Sequence, residues 1–192
     1  MSPPARGAIS RRRPRGAGHT TISPCSWPRE YRQAIRIAPA FPSSYINLAD
    51  LYRAEGRDTE GEAALREGLV ASPRSADLHH ALGLVLVRQK RLPEALGSLA
   101  RAAELDPDQA RYAYVYAVAL HGAGQTARAL EVLRVAHQRH PGDRDTLVAL
   151  ATMSRDAGDL PAAVAWARAL ADLAPGDAGA RRLLSELEAG GG

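Results

Sequence analysis

One cysteine (Cys25) and one lysine (Lys90) are all that this chain of 192 residues contains of either type. A lone thiol excludes an intrachain disulfide and any cysteine-built metal cluster. Lys90 stands beside 24 arginines, which reads as a coding bias toward arginine, with selection for carboxylate or phosphate recognition as the alternative. Aromatic residues are also scarce, at 5%. Because 45% of the chain is nevertheless hydrophobic, alanine and leucine supply most of the apolar mass, which favours slim, closely packed helices over a broad aromatic core. That content is too high for wholesale disorder. No apolar run approaches the roughly 20 residues needed to cross a bilayer, and the N-terminal arginines are not followed by the apolar core of a signal peptide. The chain as written is expected in the cytoplasm and away from membranes; a signal peptide on a missing upstream region would place it in the periplasm.

Basic charge is scarce where nucleic acid would need it. The formal net charge is +4, but residues 1–29 hold six arginines and no acid, leaving 19 basic against 21 acidic residues in 30–192. Nucleic-acid binding requires a basic surface that persists on the fold, so no such partner is expected. Residues 1–28 are rich in proline, glycine, serine and arginine and lack periodicity, which predicts a disordered basic tail. Its Arg11–Arg15 run reads as a solvated tail, or as sequence that is no natural part of the domain, with contact to nucleic acid or an anionic surface as the alternative. Gly190–Gly192 forms a second short tail.

What the chain does contain is a period. Pro39, Pro73, Pro107, Pro141 and Pro175 fall 34 residues apart, each closing a comparable apolar run. In Ala76–Gln109, Leu78, Leu82, Val85 and Leu86 mark one amphipathic helix. After a polar turn around Gln89–Arg91, Pro93 opens a second helix through Ala95, Leu99, Ala102 and Leu105. The same plan recurs in 42–75, 110–143 and 144–177. Residues 29–41 carry Tyr31, Ala34, Ile35 and Ile37 and read as the second helix of a hairpin whose first helix is lacking. That abrupt face suggests a fragment of a longer protein, or a face hidden by self-association. A capping helix, 178–189, follows the last full unit, with Arg181, Arg182, Glu186 and Glu188 toward solvent.

A 34-residue helix–turn–helix repeat with small residues at fixed places resembles the tetratricopeptide repeat (TPR) family. The eighth position is Ala49, Gly83, Ala117 and Ala151, and the twentieth Gly61, Ala95, Ala129 and Ala163, where a large side chain would wedge paired helices apart. The twenty-seventh is Gly68, Ala102 and Ala136, but Leu170 in the last unit: either that unit packs more loosely, or Ala167 and Ala171 compensate. The resemblance implies an all-alpha, right-handed superhelix, an alpha-solenoid of antiparallel helical hairpins, over residues 29–189. Stretches such as YINLADLYRAEGR and RYAYVYAVALHGAG are similar, more particularly, to the C-terminal TPR region of bacterial multihaem c-type cytochromes. The chain has no C-x-x-C-H motif, so nothing in it could attach haem, and no cofactor is expected.

The repeat pattern implies that the second, fifth, ninth, twelfth and thirteenth positions of each unit line a concave face. They include Ser43, Ile46, Asp50, Arg53, Asp77, His80, Leu84, Val87, Arg88, Arg111, Tyr114, Val118, His121, Arg155 and Asp156. Asp50, Arg53, His80, Leu84, Val87, Arg88, Arg111, Tyr114, Val118, His121 and Arg155 are the candidate binding residues. Their mixture suits a peptide with apolar side chains and an acidic group, which arginine can grip through paired hydrogen bonds. The lysine/asparagine carboxylate clamp of chaperone-tail-binding relatives is not matched, since Ile46 and Asp50 occupy two of its positions. His137 and His140 are close enough in sequence to share a metal, yet no spaced carboxylate or cysteine completes a ligand set, and no metal is expected. Ser154 with Asp156, or Tyr114 with His121, can be drawn as acid–base pairs. Neither comes with a nucleophile, an orienting partner and an oxyanion site together, so no catalytic residue is assigned. The leading reading is a non-enzymatic scaffold that binds a protein or peptide segment. The alternatives are a structural accessory domain of a larger multihaem electron-transfer protein, packed against an N-terminal domain of that protein, and a module for homo-oligomerisation.

Overall fold

The computed structural model describes residues 27–190, so the basic tail through residue 26 and the final two glycines lie outside the described residues. Ten helices make up the described chain: α1 (Trp27–Ile37), α2 (Pro42–Ala54), α3 (Asp58–Ala71), α4 (Ala76–Arg88), α5 (Leu92–Leu105), α6 (Ala110–Gly122), α7 (Thr126–Arg139), α8 (Arg144–Asp156), α9 (Leu160–Leu173) and α10 (Ala178–Ala189). No strand occurs among the described residues. Helix α1 begins two residues ahead of the expected Arg29.

Local chemistry sets the start of each helix. Pro42, Pro93 and Pro161 sit in first turns, where the missing N–H costs nothing. Ser75, Asp143, Asp159 and Asp177 accept backbone N–H bonds from Leu78, Thr146, Ala162 and Gly179 respectively, each capping the helix that follows. The turns inside the units share one device. Arg57, Arg91, Gln125 and Asp159 donate backbone N–H bonds of 2.8–3.0 Å back to Tyr52, Leu86, Leu120 and Ser154, five residues earlier. That closure needs a left-handed residue just before the donor. Gly56, Gly124 and Gly158 provide it with φ of 73°, 76° and 81°; in the second unit Lys90 does so, with φ 60°.

Hairpins pair α2 with α3, α4 with α5, α6 with α7 and α8 with α9, and each second helix also packs on the first helix of the next unit. The whole is a helical solenoid. The small residues work as spacers. A Cβ on Gly83 would stand 2.6 Å from Cγ and Cδ2 of the fully buried Leu99, so α4 and α5 meet there without room for a methyl group. Leu170 is explained by exchange of volume rather than by loose packing. Gly68, at the same register, lies between the ring of Tyr45 and Leu78, whereas Leu170 is buried between the smaller Leu147 and Ala180. The compensation comes from Ala180 and Leu147.

The core falls into two principal clusters, one running from Ile35 to Ala95 and one from Ala117 to Met153, with partly buried Leu96 on the second. On the inner layer α2 lies along α4 and α6 along α8, while α4 and α6 approach each other less closely. Ion pairs stitch the outer layer across successive units: Arg32 with Glu67, Arg66 with Glu94, and Arg91 with Glu62.

Candidate functional site

The gap between α4 and α6 has a cause in two side chains. Tyr112 takes the third position of its unit, where the other units have Ser44, Leu78 and Thr146. Its ring lies on His80, with centroids 4.9 Å apart and planes at 42°, and its hydroxyl donates to Asp77 Oδ1. Two rings side by side hold the first helices of the second and third units apart. A concavity of about 560 Å³ opens at this place, lined by α2, α4 and the start of α6.

Six of the candidate residues meet here: Asp50, Arg53, His80, Leu84, Arg88 and Arg111. Ile46, Ala81, Asp77 and Tyr112 complete much of the wall, so apolar surface alternates with charge. Three of the charged groups are already paired. Arg53 donates to Asp50 at 3.2 Å, and Arg88 donates through Nε and Nη2 to Asp58 Oδ1 at 3.1 and 2.9 Å. Arg111 is exposed and makes no hydrogen bond or ion pair among the described residues. His80 is only 9% exposed, and its Nδ1 is buried without a partner. Burial, and then the nearby charge of Arg111, push the imidazole below its usual pKa, with Asp77 pulling the other way. The Tyr112 phenol is pushed well up, first by burial and then by the carboxylate it bonds.

The remaining candidates lie outside this concavity. Val87 and Val118 are exposed, at 36% and 43%, while Tyr114 packs against the second cluster. His121 and Arg155 converge on Asp156. His121 accepts or donates at Thr126 Oγ1 (3.0 Å) through Nδ1 and stands 3.4 Å from Asp156 Oδ2 through Nε2, while Arg155 donates to Asp156 Oδ1 at 3.0 Å. Ser154 is fully buried with its hydroxyl unpartnered, and Asp156 is engaged by those two side chains rather than by Ser154. The ring of His137 meets Trp166 edge-on at 5.1 Å, and both His137 Nδ1 and His140 Nε2 are buried without partners. Among the described residues no three His, Cys, Asp or Glu side chains are grouped to share a metal.

Spacing alone missed Tyr112. The signal was a large polar side chain at a position where the other units bury Ser44, Leu78 and Thr146.

A stack of 34-residue hairpins with small residues where the helices cross, enclosing an inner groove, defines a TPR solenoid. The chain belongs to the family of the cytochrome c-type biogenesis protein H TPR domain, whose profile matches residues 60–180, and a tetratricopeptide repeat profile matches residues 42–74. The likeness to multihaem cytochromes is thus echoed only loosely, through a family named for cytochrome c biogenesis. No curated protein matches the chain. Among solved structures, YrrB, described as a TPR protein with an unusual peptide-binding site, superposes with a TM-score of 0.65 at 21% identity, over 81% of this chain and 80% of that one. The pilF protein of Pseudomonas aeruginosa gives 0.67 at 20% identity, over 82% and 72%. MamA from Desulfovibrio magneticus gives 0.64 at 18% identity, over 77% and 84%. At these identities the likeness establishes the fold.

Proposed function

We propose that the protein is a non-enzymatic scaffold that holds a polypeptide segment in its concave groove, centred on the concavity between α2, α4 and α6. The observation that carries this reading is the concavity itself: Ile46, Ala81 and Leu84 give it apolar surface, and Arg111 stands beside them without a partner among the described residues. Apolar burial supplies the binding energy, and a few fixed polar groups choose orientation. The groove residues beyond it (Val87, Tyr114, Val118, His121 and Arg155) extend the same inner layer and would meet the rest of a longer segment. The peptide-binding site of YrrB and the family name together direct the search for the partner toward polypeptides of c-type cytochrome biogenesis.

The test is capture with the full chain, followed by titration of peptides from whatever polypeptide is retained. Leu84→Glu puts a charge in the groove wall, and Val135→Glu puts one at a site on α7 that is 50% exposed and outside the groove. The first is expected to weaken binding by at least about tenfold, the cost of placing one charge in an apolar contact. The second should leave it unchanged. Equal affinities for the two folded variants would remove the groove from the account.

A further inference from the structure

His80 is the anomaly of the groove wall. A buried ring nitrogen without a partner is costly unless something else completes it. His80 shares its concavity with Arg111, and the other charged groups there are committed. On α2, Arg53 is held by Asp50; on α4, Arg88 is held by Asp58, and Asp77 accepts the Tyr112 hydroxyl of α6. Asp145, at the same register as Arg111 one unit on, makes no ion pair with it. Among the described residues, one cation and one imidazole are left uncommitted beside Leu84 and Ile46.

We propose that this wall is specific for an acidic, apolar segment whose carboxylate sits on Arg111, and that His80 takes up a proton as the carboxylate arrives. The inference rests on the groove reading above and adds its ligand chemistry and its regulation. In the free protein burial and then the charge of Arg111 push the His80 imidazole below its usual pKa, opposed by Asp77. A bound carboxylate reverses the second of these influences: it neutralises Arg111 and places an opposite charge beside the ring, and both changes favour imidazolium. The sign follows. A group whose pKa is higher in the complex takes up a proton on binding, so affinity rises as pH falls through the bound-state value. It levels off below the free-state value. The total gain is about tenfold for each unit that separates the two.

The test uses the full chain labelled at histidine for NMR, and two probes. These are an N-acetylated, C-amidated peptide of leucine and alanine carrying one glutamate, and its twin with glutamine. Between pH 5 and 8 the glutamate peptide is expected to bind about tenfold tighter at the acid end, with the advantage shrinking as pH rises. The His80 imidazole should titrate at higher pH in the glutamate complex than in the free protein. Arg111→Met, at an exposed site that makes no hydrogen bond or ion pair among the described residues, should abolish the preference, and His80→Gln should remove its pH dependence. Equal binding of the two peptides, or an unmoved His80 titration in the saturated complex, overturns the proposal. If Leu84→Glu abolishes binding of two equally bound peptides, the groove stands and the carboxylate specificity falls. If neither peptide binds, both fall together.

Discussion

Gly83 and Gly97 lie one helix apart and answer opposite demands. An alanine at either position gains about 1 kcal/mol of helix propensity. At Gly97 the added methyl meets nothing within 4 Å, so Gly97→Ala is expected to stabilise the protein by about that amount. At Gly83 it would stand 2.6 Å from Leu99, and over-packing of this kind costs about 1–3 kcal/mol. Gly83→Ala should therefore destabilise, and urea unfolding of the two variants measures both signs; shifts in the same direction would refute the packing account. Lys90 is the third residue with a simple test. It holds a left-handed conformation that glycine holds in the other units, and an L side chain there costs roughly 1 kcal/mol. Lys90→Gly should raise the midpoint of unfolding, since relief of that strain outweighs the added freedom of the unfolded chain. An unchanged or lowered midpoint would mean that Lys90 contributes contacts of its own.

At the scale of the helix, α10 shows how one carboxylate can serve two ends. Asp177 caps the helix through Gly179 and Ala180 and receives Nε and Nη2 of Arg144 at 3.0 and 2.8 Å. Arg144 and then those backbone bonds hold its carboxyl below the ordinary value of 3.8. With the folded pKa depressed, the stabilisation is present above that ordinary value and disappears as pH falls through the folded one. Protection of α10 amides, corrected for the intrinsic exchange rate at each pH, should fall below about pH 4 ahead of that of α8, and Asp177→Asn should remove the difference. The elements were legible in the sequence because the 34-residue register fixes what each position meets: Gly83, Ala95 and Leu99 could be placed from spacing alone. Six of the residues placed on the inner face by register line one concavity. What spacing does not carry is choice of partner. Arg88 turns to Asp58, Arg155 and His121 to Asp156, and these depend on rotamers rather than on period. Tyr112 escaped for a related reason, because the third position is defined by what the preceding unit presents to it. Leu170 broke the small-residue rule because the volume it takes is yielded by Ala180, in the following unit.

For the whole molecule, a stack in which each unit touches only its neighbours has a stability that is close to a sum of units and seams. At one seam the inner helices α4 and α6 approach less closely than α2 and α4 or α6 and α8, and the two principal core clusters lie on either side of it. Amide exchange under mild denaturant is therefore expected to divide the chain into two protection classes, α1–α5 and α6–α10, rather than one. A single uniform opening would show that the packing of α5 on α6 is enough to bind the halves into one cooperative body.

The rings of His80 and Tyr112 at that seam have a mechanical consequence. A coil of equal turns flexes evenly, but a coil propped open at one turn concentrates its compliance there. The propped turn is also where Leu84 and Arg111 face the concavity. A ligand seated on it would act on the curvature of the entire coil, tightening or spreading both arms, as a finger placed between two turns of a spring governs its shape.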